Sequence, residues 1–186
     1  MPPEEKSALG GIRMHRGTIA VRLSKMVMTG GLAFWAFLVT LGNVTDYDSN
    51  WLFVQHVLAM DTVFADSSLT WRAITNPAVQ TLAYWAIIAV EGLTSLAFLA
   101  ATVLMARNLR AGKAAFHRAK SATAIGIALA FGLWFIGFMA VGGEWFVMWQ
   151  SSSWNGQDAA FRFTLIVLAV AVYVFLDTDG APGASD

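Results

Sequence analysis

The chain has 186 residues, of which 57% are hydrophobic and 13% are charged, and its formal net charge is zero. Soluble domains carry about 25% charged residues, so this composition indicates a membrane protein. A neutral chain has no global field that would attract nucleic acid, and a chain without cysteine has no disulfides, iron–sulfur clusters or thiol catalysis.

Four stretches are apolar and long enough to cross about 30 Å of hydrocarbon. They predict an all-α, four-helix transmembrane bundle that forms one membrane domain over residues 22–176. The expected spans are residues 26–42, 78–105, 121–143 and 160–176. We expect residues 1–21 to be a flexible segment and residues 177–186 to be a disordered tail, because the tail is acidic and contains glycine and proline.

The basic residues predict the orientation of this bundle. Ten of the twelve lysines and arginines lie before the first span or between the second and the third: Lys6, Arg13, Arg16, Arg22, Lys25, Arg107, Arg110, Lys113, Arg118 and Lys120. The other two, Arg72 and Arg162, lie on the opposite side. The positive-inside rule therefore places both termini in the cytoplasm.

The first outer loop, residues 43–77, is too long to be structureless in a compact protein. Ser49 and Asn50 are residue types that cap helices, and mostly apolar residues follow them. We therefore expect an interfacial helix over residues 51–60, lying in the headgroup zone or under a partner. His56 falls on its one narrow polar face and is a candidate for docking rather than for metal binding.

The second span carries one formal charge, Glu91, about halfway along its length. Tyr84 lies seven residues before it, and Thr94 and Ser95 lie three and four residues after it, so all four share one helical face. That face should point into the bundle, where polar groups find partners.

Two interpretations of Glu91 stay open at this stage, because the other predicted spans hold no lysine, arginine or histidine at the matching depth. A protonated Glu91 would be a structural group, hydrogen-bonded to its polar neighbours. Alternatively, Glu91 binds a proton or cation reversibly, or meets a charge on a partner subunit. Glu91, Tyr84, Thr94 and Ser95 are the candidates for a ligand or ion site.

The second outer loop, residues 142–159, is rich in tryptophan. Five of the eight tryptophans are predicted on the outer side: Trp51, Trp71, Trp145, Trp149 and Trp154. These residues are interpreted either as an aromatic belt in the headgroup zone or as a docking surface. A simple belt would appear on both sides of the membrane, so the one-sided distribution gives some support to the docking surface, and both interpretations stay open. We also expect Arg162 to pair with Glu144 or Asp158 at the membrane boundary. The candidate docking residues are His56, Glu144, Trp145, Trp149, Trp154 and Arg162.

Several long segments carry a resemblance to a known family. They are residues 53–61 (FVQHVLAMD), Tyr84-Trp85 through Glu91, residues 142–150 (GGEWFVMWQ), residues 154–157 (WNGQ) and residues 160–162 (AFR). Over residues 22–177 the chain resembles the bacterial predicted small integral membrane protein family, a domain of unknown function. The resemblance implies a four-helix, multi-pass protein of the bacterial inner membrane, and it implies no activity, substrate or catalytic residue.

The sequence motifs leave two functions in competition. No P-loop, HExxH zinc motif or nucleophile–base arrangement is present, so we expect no enzyme, no metal site and no cofactor. The favoured function is a non-enzymatic accessory protein of the lipid bilayer that binds a partner, such as a larger membrane complex, or a lipid. The alternative is a small oligomeric transporter or channel with Glu91 as its proton or cation site. Small residues at Ala122, Gly126 and Ala130 predict close helix packing, either within the bundle or in a homo-oligomer.

Overall fold

The computed structural model describes residues 16–180. Within these residues all regular structure is helical, and four helices are long and apolar enough to cross a membrane. They are α1 (Arg16–Thr45), α3 (Pro77–Arg107), the continuous segment Lys113–Trp145 and α6 (Gln157–Phe175). The prediction of an all-α fold with four apolar spans is confirmed.

The third span is built from three helical pieces in succession. They are α4 (Lys113–Ser121), α5 (Thr123–Ala130) and a π-helix (Phe131–Trp145). A π-helix joins each N–H to the carbonyl five residues earlier, and most examples are single turns near functional sites. This π-helix is 15 residues long, and the N–H of Phe146 after it still donates to the carbonyl of Val141 at 3.0 Å.

One connection joins α1 to α3, and another joins the third span to α6. Together they form a tryptophan-rich cap at one end of the bundle, which comprises residues 46–76 and 144–156. It contains α2 (Tyr47–Ala59) and two short 3₁₀ turns, Thr70–Arg72 and Met148–Gln150. The predicted helix in the first loop is present, and it begins at Tyr47 rather than at residue 51. Leu58 of α2 accepts a 2.8 Å hydrogen bond from the N–H of Ile74, so the long loop folds back on this helix.

The first helix extends well beyond the apolar stretch that predicted it. It begins at Arg16 instead of residue 26, so residues 16–21, which we expected to be flexible, are helical. Thirty helical residues measure about 45 Å, which exceeds the roughly 30 Å of hydrocarbon. Hydropathy therefore located the membrane-crossing part, whereas backbone hydrogen bonds carry the helix further. Residues 1–15 lie outside the described part.

The centre of the bundle is an aromatic cluster around Trp134. The ring centroids of Trp35 and Trp134 lie 4.6 Å apart, and those of Trp35 and Phe163 lie 4.7 Å apart. At another contact, Gly126 approaches the ring of Phe98 so closely that an added Cβ would lie 2.6 Å from it. The small residue at Gly126 therefore serves packing within the bundle.

The chain after α6 differs from the disordered tail that its composition predicted. Asp179 is completely buried, and its carboxylate accepts hydrogen bonds from Lys25 Nζ, at 2.7 Å, and from Lys120 Nζ. Its backbone carbonyl accepts a further bond of 2.9 Å from Arg22. These lysines belong to α1 and α4, so the tertiary structure supplies the partners that hold residues 177–180. Residues 181–186 lie outside the described part.

The electrostatics of Asp179 reflect two opposing effects. Burial alone raises the pKa of its carboxyl, but the hydrogen bonds and charges of Lys120 and Lys25 outweigh burial. The pKa of Asp179 is therefore lowered from its ordinary value, and the group is ionised at neutral pH.

Candidate functional site around Glu91

Glu91 lies on the inward face of α3. The helix starts at Asn76-Pro77, where the Asn76 side chain accepts from the N–H of Ala78 at 2.9 Å. Only 2% of Glu91 is exposed to solvent. Tyr84, Thr94 and Ser95 are buried as well, as their helical spacing predicts.

The partner of Glu91 is Asn43, a residue of α1. Asn43 Nδ2 donates a 2.7 Å hydrogen bond to Glu91 Oε2, and the Tyr84 hydroxyl donates to the backbone carbonyl of Asn43 at 2.8 Å. The sequence interpretation did not include Asn43, because it follows the predicted end of the first span at residue 42. Hydropathy gives no signal for this residue, because α1 continues past the apolar stretch to Thr45.

The hydroxyl groups of Thr94 and Ser95 donate their hydrogen bonds to groups other than the Glu91 carboxyl. The Thr94 hydroxyl donates to the carbonyl of Val90 in its own helix at 2.7 Å, and Ser95 Oγ donates to the carbonyl of Ala33 at 2.9 Å. The hydroxyl of Thr94 therefore finds its hydrogen-bond acceptor within α3, and the hydroxyl of Ser95 joins α3 to α1. Of the four predicted candidates, the structure brings together Glu91 and Tyr84.

Glu91 faces a cavity of about 230 Å³ between α1, α2, α3, the π-helix and α6. Its polar lining consists of Asn43, Asn50, Tyr84 and Glu91, and its aromatic lining consists of Phe53, Trp134, Phe138 and Phe163. The residues that line this cavity include no lysine, arginine or histidine. A carboxylate in such a place is stable when it is protonated or when a cation joins it.

A second cavity, of about 290 Å³, adjoins the first. It is lined entirely by apolar residues: Phe53, Val54, Val57, Leu58, Ala83, Ala86, Ile87, Leu133, Gly137, Phe138, Val141, Gly142, Phe146 and Met148. Four of these line both cavities: Phe53, Val54, Ile87 and Phe138. The rings of Phe53 and Phe138 stack with their centroids 6.3 Å apart and so form a wall between a polar space and an apolar one.

The predicted docking residues Trp145 and Trp149 lie on the cap with about half of their surface exposed. The guanidinium of Arg72 lies 4.5 Å from the Trp145 ring centroid and 5.3 Å from that of Trp71. Arg72 also donates a 3.1 Å hydrogen bond to the carbonyl of Trp145. Cation–π contacts of this kind tie the two loops together while Trp71 and Trp145 remain exposed.

His56 and Trp154, two further docking candidates, contact each other. Their rings stack with centroids 4.6 Å apart, and His56 Nδ1 lies 2.8 Å from a carboxylate oxygen of Asp61. The rings of Trp154 and Phe53 also form an edge-to-face contact, with their centroids 6.2 Å apart. These contacts hold α2 against the second loop, so both residues position the wall of the Glu91 cavity.

The predicted ion pair of Arg162 with Glu144 or Asp158 is wrong for the described part of the chain, where no salt bridge joins these three exposed residues. The reason is the face of α6 on which Arg162 lies. Ala160 and Thr164, each two residues from Arg162, are buried, and two residues of helix correspond to roughly half a turn. Arg162 therefore points away from the bundle.

Comparisons with known proteins bear on the family and not on an activity. Neither a search of the curated proteins nor a search of the solved structures found a match. The family described as predicted small integral membrane protein matches residues 21–177, which is most of the chain. Its description agrees with four helices that are long and apolar enough to cross a membrane. The chain therefore belongs to the predicted small integral membrane protein family and is a multi-pass membrane protein.

Proposed function

We propose that the protein is a non-enzymatic binding protein of the bacterial inner membrane that holds a small cationic ligand in the Glu91 cavity. The observation that carries this proposal is the buried carboxylate of Glu91, which accepts a side-chain hydrogen bond from Asn43 alone among residues 16–180 and faces a cavity whose lining supplies no positive charge. A structural carboxylate would be expected to have its remaining acceptor sites filled by further hydrogen-bond donors. Here the space beside it is large enough for a ligand.

The chemistry of the lining favours a cation over a neutral or anionic ligand. Glu91 offers a negative charge, and moving an isolated ion out of water is strongly unfavourable without an opposite charge. Phe53, Trp134 and Phe138 offer aromatic faces, which attract cations through the ring quadrupole. A cation would thus gain a charge partner and apolar cover in one place.

The same lining favours binding over catalysis. It contains one acid, and it lacks a serine, cysteine or lysine nucleophile with a base beside it.

We place the cap on the outer side of the membrane, because ten of the twelve basic residues flank the opposite ends of the helices. Asn50, Phe53 and Gly156 of the cap line the Glu91 cavity, so a ligand would enter from the outer side.

The test measures cation binding to the protein in lipid nanodiscs, with tetramethylammonium, K⁺ and Na⁺ as probes. Trp134 lines the cavity, so tryptophan fluorescence reports occupancy alongside calorimetry. We expect at least one probe to bind and Glu91→Gln to weaken it by about tenfold or more, since one lost charged contact of about 1.4 kcal/mol has that effect. The exposed Glu144→Gln is the matched control. Absence of binding by all three probes, or equal binding by Glu91→Gln, overturns the proposal.

A second candidate function is docking of a partner protein through the cap. The specific observation is that three tryptophans of the cap, Trp71, Trp145 and Trp149, are exposed, with Trp71 70% exposed. Tryptophan is one of the residue types that dominate interface hot spots. Native mass spectrometry of the protein extracted from its own host in mild detergent tests this function. A stoichiometric second protein that is lost when Trp145 and Trp149 become alanine supports it, and a partner-free monomer or homo-oligomer contradicts it.

Transport would extend the binding function if the Glu91 cavity released its ligand on both sides. Cation flux into proteoliposomes distinguishes the two. A transporter shows flux that Glu91→Gln abolishes, and a binding protein binds the same cation without flux.

A further inference from the structure

We infer that the ligand is an amphipathic cation, with an ammonium group beside Glu91 and an apolar chain in the adjoining apolar cavity. This inference rests on the proposed function and narrows its ligand class. It uses the second cavity and the Phe53–Phe138 wall, neither of which a simple cation requires.

The polar end of the site suits an ammonium group better than a metal ion. Hard cations such as Ca²⁺ take six to eight oxygen ligands, whereas the cavity offers one carboxylate among two amides and a phenol. The opposite walls are aromatic rings that give a metal ion no ligands. An organic ammonium needs one carboxylate to balance its charge and aromatic faces to cover its carbon atoms.

The apolar end of the site begins at the shared wall. Phe53 of α2 and Phe138 of the π-helix contribute to both cavities, so the cavities adjoin at these two rings. A chain attached to an ammonium at Glu91 would have to extend past the edge of this ring pair to enter the second cavity. The residues that line the second cavity carry no charged side chain and no side-chain oxygen or nitrogen. It therefore excludes a hydrated ion and accepts hydrocarbon.

The π-helix keeps the second cavity open with glycine. Gly137 and Gly142 both line it, and a Cβ added at Gly142 would lie 3.5 Å from the methyl carbon of Met148, which lines the same cavity. These two glycines stand five residues apart, which is the hydrogen-bonding interval of a π-helix. The helix thus presents its glycines to the cavity on successive turns.

The experiment compares tetramethylammonium with butyltrimethylammonium and hexyltrimethylammonium, each titrated into nanodiscs with and without protein. Burying one methylene strengthens binding by about fourfold, so we expect a steep rise in affinity with chain length above the background of empty nanodiscs. Ala83 lines the second cavity but not the first, so Ala83→Leu should partly fill the second cavity alone. We expect this variant to show a smaller rise in affinity with chain length, while its affinity for tetramethylammonium is unchanged. Ala100→Leu, an exposed position on the same helix, is the control.

The outcomes separate this inference from the proposed function. If tetramethylammonium binds in a Glu91-dependent manner but chain length adds no affinity, or Ala83→Leu leaves the chain dependence intact, the amphipathic ligand is excluded and the cation site stands. If hexanol binds as tightly as hexyltrimethylammonium, the site selects apolar chains without charge and the inference fails. If no ammonium, K⁺ or Na⁺ binds, both proposals fail together.

Discussion

Asn43 Nδ2 donates a 2.7 Å hydrogen bond to Oε2 of Glu91 and thereby joins the last turn of α1 to α3. Tyr84 binds the carbonyl of the same asparagine, so the three residues form one polar group beside an aromatic cavity. When a buried polar group loses its partner, the folded protein is destabilised by more than the net contribution of the hydrogen bond. Substitutions at this contact should therefore have a measurable effect on stability.

Replacing Asn43 with leucine is expected to lower the free energy of unfolding by about 1–3 kcal/mol, because Glu91 is left buried without its donor. Adding Glu91→Leu removes both polar partners and should recover much of that loss. Denaturation in detergent of the two single variants and the double variant measures the coupling. Effects that simply add would show that this hydrogen bond contributes nothing specific.

Glu91→Gln is expected to fold nearly as well as the natural chain, with a change in unfolding free energy below about 1 kcal/mol. Glutamine has the same shape, and its carbonyl oxygen still accepts from Asn43. Gel filtration and thermal unfolding check this. A large loss of folded protein would instead mean that the ionised carboxylate is structurally required.

Removing the charge of Asp179 should destabilise the bundle strongly. Asp179→Asn leaves Lys25 and Lys120 buried without their counter-charge, and breaking a buried ion pair in this way costs about 3–5 kcal/mol. Asp177→Asn is the matched control, because Asp177 is exposed and its 3.3 Å pair with Lys113 should contribute less than about 1 kcal/mol. Equal melting temperatures for the two variants would contradict the burial of Asp179.

The depressed pKa of Asp179 predicts a specific acid sensitivity. An unfolded aspartate titrates at about 3.9, so the stabilisation from Asp179 is fully present above that pH. It is lost as the pH falls through the lower pKa of the folded state, where protonation finally breaks the pairs with Lys25 and Lys120. Unfolding measured from pH 7 to acid should therefore show a smaller acid-induced loss in Asp179→Asn than in the natural chain. If the stability of both proteins fell by the same amount with pH, the ion pairs of Asp179 would not be the source of the acid sensitivity.

Gly126 is expected to tolerate no side chain. An added Cβ would lie 2.6 Å from the Phe98 ring, so Gly126→Ala should destabilise the protein by about 1–3 kcal/mol through overpacking. Gly31→Ala has open space around its Cβ and should be neutral or stabilising by up to about 1 kcal/mol, since alanine favours helix. Phe98→Leu should partly rescue Gly126→Ala. Similar melting temperatures for the two alanine variants would rule out close packing at Gly126.

Local properties of the sequence are enough to predict the four spans and the inward face of α3. Transfer of about twenty apolar residues into hydrocarbon is favourable whatever lies beside them, so hydropathy alone locates each span. The period of the helix places Tyr84, Glu91, Thr94 and Ser95 on one side of α3 without reference to any neighbour.

The packing of the helices against one another determines which groups meet on that side of α3 and at the opposite end of the bundle. Asn43 reaches Glu91 because α1 extends to Thr45, and Asp179 is buried because lysines from α1 and α4 converge on it. Asn43 and Glu91 are 48 residues apart in the sequence, and Lys25 and Asp179 are 154 residues apart. The geometry of both contacts depends on where the helices end and how they pack. Hydropathy and local periodicity act along one segment, so they carry no information about these distances.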